Sequence, residues 1–334
     1  MTELVALPRR PIGTLQVPAI TIGLWQVAGG HGKINLEKAV QEMKVYAEAG
    51  FFAFDLADIY GPSEDLYGRF MKEKNDGVCS YGFTKLVPRP GPMTKHLVEM
   101  SINGSMQKMG VSSLDMVQFH WWDYEDERYL DAVKALAELK EEGKIVEVAL
   151  TNFDTYHMNK ILSSGCPIVS NQVAYSIIDT RPEKKMVPWC LQNNIKLLAY
   201  GTLLGGFLAE KYIGKIEPKR YELNTSSLAK YKYVIDQWGS WRLFQELLLV
   251  LKGIADKYGV SISNIAMRYI ADKPVVGSVV VGARLSIAEH IADNALTFSF
   301  PGLDASDLSM IHAVVHKGKP LVGDCGDEYR MGRR

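Results

Sequence analysis

Short, nearly unbroken apolar runs alternate with longer stretches of helical period along most of the chain. The runs are AITIGL (19–24), FFAFD (51–55), CSYGFT (79–84), LDMVQFH (114–120), IVEVALT (145–151), PIVSNQ (167–172), IKLLAY (195–200) and GSVVVG (277–282). Continuous rather than alternating hydrophobicity marks parallel strands covered by helices. The intervening segments carry helix punctuation. NLEKAVQEMKVYAEAG starts on Asn35 as a cap and stops at Gly50. DERYLDAVKALAELKEEG opens with acids and stops at Gly143, and TRPEKKMVPWCLQNN places Pro182 where a missing N–H costs least.

Eight strand–helix pairs over roughly 250 residues predict an α/β fold, a (β/α)8 TIM barrel forming a single domain over residues 1–334. A doubly wound sheet is the competitor, but no G-x-G-x-x-G and no G-x-x-x-x-G-K-[ST] occurs. Residues up to QVPAI are expected to cap the bottom of the barrel. The polar stretch from Leu208 to about Trp241, carrying Tyr221, Tyr231, Tyr233, Trp238 and Trp241, is expected to form an extended, ordered lid on the opposite, C-terminal face.

Composition narrows the function. The chain has 334 residues and a formal net charge of zero, so nothing marks a nucleic acid or an anionic membrane as partner. A small-molecule ligand is expected instead. No apolar run approaches the ~20 residues of a membrane span, and MTELVALPRRPIG lacks the apolar core of a signal peptide. The four cysteines are scattered and form no C-x-x-C pair, so neither a zinc site nor a disulfide framework is suggested. The expectation is a reduced, cytoplasmic protein without a metal; its oligomeric state is not legible.

The chemistry gathers where strands end, because barrels of this type build their sites at the C-terminal face. Asp55 ends the second run, Tyr60 lies in the following loop, Lys85 follows the third run, and His120 ends the fourth. Taken singly, each has an ordinary explanation: a capping Asp, an amphipathic Tyr, a solvated Lys, a core His. Together they form a set. An ammonium beside a phenol lowers its pKa from ~10, and a carboxylate holds the ammonium. An imidazole alongside can donate to a carbonyl oxygen or relay a proton. Such a set protonates a carbonyl while a hydride arrives at its carbon, and the hydride must come from a nicotinamide.

FDLADIYGPSEDLYG resembles the signature of the aldo-keto reductase superfamily, the likeness continues in order along nearly the whole chain, and the tail GDCGDEYR is similar to that of a little-characterised branch of it, which implies no particular substrate. GFTKL and LDMVQFHWWDY are similar to the segments holding its active-site lysine and histidine. VALTNFD, SNQVAYS, LLAYGTLLGGFL and VVGARLSIAEHIADN are similar to its coenzyme-binding segments. The resemblance implies Tyr60 as the acid/base, Asp55 and Lys85 as its tuners, and His120 as the partner orienting the carbonyl. It implies Thr151, Asn152 and Gln172 on the nicotinamide carboxamide and Tyr200 stacked on the ring. Gly201, Thr202, Leu203 and Gly205 would line the pyrophosphate. Gly282, Arg284, His290 and Asn294 would meet the adenosine 2′-phosphate end. An arginine matches a phosphate bidentately, so NADP(H) is expected over NAD.

Leu56 stands where many members carry Thr, and the spacing from Arg284 to HIADN is two residues longer than the common pattern. Trp25 and Trp121 are expected to wall the substrate pocket. The implied activity is NADPH-dependent reduction of an aldehyde or ketone. Two other readings stand beside it. One is a coenzyme-binding regulatory subunit resembling potassium-channel β subunits, and the other is a barrel aldolase with Lys85 as Schiff-base nucleophile.

Overall fold

The computed structural model describes residues 6–330. Residues 1–5, part of the expected bottom cap, lie outside the described range. Ten strands are present: β1 (Arg9–Ile12), β2 (Leu15–Pro18), β3 (Ile20–Gly23), β4 (Ala53–Asp55), β5 (Tyr81–Leu86), β6 (Leu114–Phe119), β7 (Ile145–Thr151), β8 (Ser170–Ala174), β9 (Lys196–Tyr200) and β10 (Val276–Gly282). Strands β3 to β10 pair in parallel and close into a barrel, with β10 returning to β3. The eight apolar runs are its eight strands. Helices fill the connections, and their apolar faces pack on the outside of the barrel in one large cluster.

The bottom cap is an antiparallel hairpin. β1 and β2 meet through the two-residue turn Gly13–Thr14. Gly13 has φ of 57°, and a Cβ there would lie 2.2 Å from Glu147 Oε1, so only glycine suits the turn. Thr14 donates from its backbone N and its hydroxyl to that same carboxylate oxygen, at 2.6 and 2.8 Å. Ile12, Leu15 and Val17 then cover the barrel floor against Ala53, Phe83, Met116, Ala149 and Leu198. Burying side chains of this size contributes roughly 1.5–3 kcal/mol each. The hairpin closes the bottom and leaves the opposite rim for the site.

Local signals explain the helices. Asn35 caps Leu36–Glu48 by accepting from Lys38 N at 3.0 Å, and Gly50, at φ 94°, ends the segment. Tyr129–Glu141 likewise ends before Gly143 at φ 79°. The third segment splits into Arg181–Lys184 and Met186–Gln192. Pro188 explains the split: it lacks the N–H that would bond back to residue 184, and its ring would crowd that carbonyl.

The stretch 208–241 is ordered. Two 3-10 turns, Glu210–Tyr212 and Arg220–Glu222, lead into a helix over Ser226–Trp238, here called the rim helix. Thr225 caps it by accepting from Leu228 N at 3.1 Å. Tyr231, Trp238 and Trp241 are buried, whereas Tyr221 and Tyr233 stay exposed.

Candidate active site

A carboxylate that accepts four hydrogen bonds from three side chains lies inside the top of the barrel. Asp55 ends β4, and Lys85 reaches it from within β5 rather than from the loop after it, because that strand runs to Leu86. Lys85 Nζ donates to both Asp55 oxygens at 2.6 Å and to Leu56 O at 3.1 Å, which uses its three hydrogens. Gln118 on β6 and Gln172 on β8 add donors to Asp55 Oδ1 at 2.8 and 2.6 Å, and Gln172 also donates to Gln118 Oε1 at 2.8 Å. All four side chains are buried. Burial pulls the Lys85 ammonium below its usual pKa, and the Asp55 charge opposes that.

Tyr60 is placed by the loop after β4, where its N–H bonds to Ala57 O at 3.1 Å. Lys85 Nζ sits 4.9 Å from the centre of its ring. A neighbouring ammonium would lower the phenol pKa, but burial, and then the Asp55 charge, push it well above its ordinary value. Lys85 is neutralised by Asp55, so its field at the phenol is weak. Tyr60 is therefore a fully protonated donor across the neutral range.

His120 follows β6 and is buried. Its Nδ1 lies 3.2 Å from Thr151 O, which can only accept, so Nδ1 carries the hydrogen. Burial, followed by the Arg330 charge, lowers the imidazole pKa to about 4. A neutral ring with its hydrogen on Nδ1 presents Nε2 as an acceptor. His120 in this state accepts a hydrogen bond at Nε2 and does not donate to a carbonyl oxygen. Trp122 packs edge-on against the ring at 4.5 Å.

The expected coenzyme residues lie along one arc of the rim, from β7 to β10. Asn152, at φ 60°, accepts from the Tyr200 hydroxyl at 2.8 Å through Oδ1. Thr151 and Gln172 are turned into the barrel: Thr151 Oγ1 donates to Gln172 O at 3.1 Å, and the Gln172 amide is held by Asp55 and Gln118. Thr202 is buried and bonds to Tyr175 O at 3.2 Å. Leu203 is half-buried within the turn that follows β9, where Gly206 N donates to its carbonyl at 2.9 Å. Gly201 and Gly205 both have positive φ and both lie under the ring of Tyr231.

Gly282 ends β10 against Gln26. Arg284 donates through Nη2 to His31 O at 2.9 Å, and its buried Nε has no partner. His31 bonds Ser227 through Nε2 at 2.7 Å, and its Nδ1 also has none. Asn294 is buried in the short helix Ile291–Ala295, while His290 is exposed just ahead of it. A guanidinium with an unpartnered donor fits an anionic group at this end of the arc.

The two tryptophans part company. Trp25 lies in the 3-10 turn after β3, 37% exposed, with its ring edge-on to His31 at 4.9 Å. Trp121 is 0% exposed, stacks on Phe119 at 5.9 Å and donates to Asp126 O at 2.8 Å. It belongs to the core, and it is Trp122 that stands beside His120. Alternation along the chain past Phe119 accounts for the swap.

The tail, where no site residue was expected, also reaches the site. Residues 321–330 cross the rim, clamped by Arg181, which donates to Asp179 at 2.8 Å and to Glu328 at 2.9 and 3.1 Å. Gly326 is pressed on Asn152: a Cβ there would lie 2.1 Å from Asn152 O. Arg330 bonds to Trp121 O, Asn152 O and the Tyr124 hydroxyl. Tyr329 enters the site, 6.0 Å from the His120 ring and with its hydroxyl 3.4 Å from that of Tyr200. Lys230, on the rim helix, bonds to the Tyr329 hydroxyl. Gln118 was also missed, although a lone amide in an apolar strand was a signal. Two surface cavities, ≈ 380 Å³ beside Met93 and Glu138 and ≈ 240 Å³ beside Arg10 and Lys196, lie away from this rim.

The chain belongs to the aldo/keto reductase family, whose model matches residues 19–316. Flagellar radial spoke protein 5 of Chlamydomonas reinhardtii is 31% identical over 189 residues, which is 51% of this chain but 36% of that protein's length. The NADH-specific methylglyoxal reductase of Escherichia coli is 24% identical over 327 residues, covering 89% of this chain and 95% of the other. An aldo/keto reductase of Klebsiella pneumoniae, solved in complex with NADP and acetate, has the same fold. Its TM-score is 0.69 at 19% identity, over 97% of this chain and 98% of that one. Among the described residues, no helix is long and apolar enough to cross a membrane, and no group of three or more His, Cys, Asp or Glu is arranged to hold a metal.

Proposed function

We propose that the protein is an NADP(H)-dependent carbonyl reductase acting on an aldehyde or ketone, with Tyr60 as the proton donor. The observation that carries this is the convergence of Asp55, Lys85, Tyr60 and His120, from three neighbouring strands, on one rim. A nicotinamide coenzyme, when bound, supplies the hydride. Tyr60 gives its phenolic hydrogen to the carbonyl oxygen, and Lys85, held by Asp55 with its ammonium 4.9 Å from the ring centre, is the cation nearest the phenolate that remains, its field moderated by that pairing. His120 Nε2 accepts a hydrogen at the same oxygen once it is an alcohol. Arg284, Asn152, Tyr200 and the glycine turn after β9 would hold the coenzyme, with Arg284 favouring a 2′-phosphate.

The geometry weakens the Schiff-base alternative. A nucleophilic lysine needs a free lone pair, and all three Lys85 hydrogens are committed to Asp55 and Leu56. A regulatory, coenzyme-sensing role keeps the same residues and differs in turnover. The test is multiple-turnover loss of NADPH absorbance with a panel of aldehydes and ketones. Sustained turnover supports the reductase; tight NADPH binding without turnover supports the sensor.

A further inference from the structure

The charged groups at the rim leave one ammonium unmatched. Lys85 is paired with Asp55, and Arg181 with Asp179 and Glu328. Arg330 is a guanidinium whose two terminal nitrogens go to two carbonyls and a phenol, while its buried Nε has no partner. Among the described residues, no carboxylate forms an ion pair with Lys230. Its Nζ bonds to the Tyr329 hydroxyl and stands over three rings, 4.9 Å from the centre of Tyr200, 5.4 Å from Tyr231 and 4.8 Å from Tyr329. Glu328, close enough for its charge to be felt, is hydrogen-bonded to Arg181 instead.

An aromatic cage stabilises a cation by only about 0.5–2 kcal/mol, so an ammonium half-removed from water retains a strong demand for an anion. Its position gives that demand a use. The Tyr329 ring neighbours both Lys230 and His120, its centre 4.8 Å from the ammonium and 6.0 Å from that of the imidazole. Because Tyr329 Oη accepts from Lys230, its own hydrogen remains to be donated. An ammonium beside a phenolic O–H is a donor pair matched to a singly charged carboxylate; a phosphate dianion would call for a second cation.

We propose that Lys230, with Tyr329, recognises a carboxylate on the substrate, so that the site takes aldehydes or ketones whose carboxylate lies several bonds from the carbonyl. This rests on the carbonyl-reductase reading and adds its substrate class. The carbonyl would sit at Tyr60 and His120, and the carboxylate would exchange the cage for a charge-assisted bond to Lys230.

The test compares 4-carboxybenzaldehyde with its methyl ester, which offer the same carbonyl with and without the negative charge. kcat/KM for both is measured in the wild type, Lys230→Met and Lys230→Arg, together with the dissociation constant for NADPH. The wild type is expected to prefer the acid by about tenfold or more, in line with a hydrogen bond to a charged group. Lys230→Met should abolish that preference and Lys230→Arg should retain most of it. A ratio within one variant is insensitive to partial misfolding. A preference that survives Lys230→Met, a wild type indifferent to the charge, or a loss confined to NADPH affinity would each overturn the proposal while leaving the reductase reading intact. A wild type that turns over neither aldehyde would overturn both.

Discussion

Gln172 Nε2 donates to Asp55 Oδ1 at 2.6 Å, joining residues 117 positions apart in the chain. The amide expected to grip a coenzyme also buttresses, through Nε2, the carboxylate that holds Lys85. Tyr60, the proposed proton donor, thus stands over a buried polar layer formed by Asp55, Lys85, Gln118 and Gln172.

Breaking the pair at the centre of that layer should be costly. Lys85→Met leaves Asp55 buried without its counter-charge, a loss of about 3–5 kcal/mol. Adding Asp55→Asn removes the stranded charge and should recover much of that loss. Urea unfolding of both variants checks the order; equal stabilities would mean that the pair is not coupled.

The Gln118 amide gives the layer a second test. Gln118→Leu removes one donor from Asp55 and the acceptor for Gln172. An unpaired buried polar group costs about 1–3 kcal/mol. The variant should be less stable by that amount and slower in turnover, with NADPH affinity held. Unaltered stability and turnover would remove Gln118 from the account.

His120 sets the acid-side behaviour. With its pKa lowered to about 4 in the fold, against ~6.5 in the unfolded chain, the unfolded state takes up a proton first as pH falls. Stability is complete above about 6.5 and declines from there towards 4, by roughly 3 kcal/mol in all. His120→Gln should flatten that decline in unfolding titrations. The His120 ring resonances should stay constant between about pH 5 and 8, and a midpoint near 6.5 would contradict the buried, neutral tautomer.

Arg284 should discriminate the coenzymes. Arg284→Ala is expected to weaken NADPH binding by about tenfold or more, the worth of a charge-assisted bond to phosphate, and to leave NADH nearly unaffected. Tryptophan fluorescence titration reads both. Equal loss for the two coenzymes would place the 2′-phosphate elsewhere.

The fold was legible because eight apolar runs and their caps are local signals, and each run became a barrel strand. Asp55, Lys85, Tyr60 and His120 were legible for the same reason: each stands at or near a strand end. Trp121 was misplaced because one residue of register separates the core from the pocket wall. The tail's contacts were illegible. Arg330 meets Trp121 209 positions away, and Tyr329 meets Lys230 99 positions away. No local pattern announces such contacts. The pKa of Tyr60 was misjudged because the sequence places a lysine near it without revealing that Asp55 already takes up the charge.

The most direct measurement is NADPH consumption by the wild type and Tyr60→Phe with one aldehyde, alongside the NADPH dissociation constant of each. The phenyl ring keeps the packing and loses only the proton. The account predicts matching affinities and a turnover lower by roughly 10²–10⁴ in the variant. Turnover that survives the substitution would show that Tyr60 is not the proton donor.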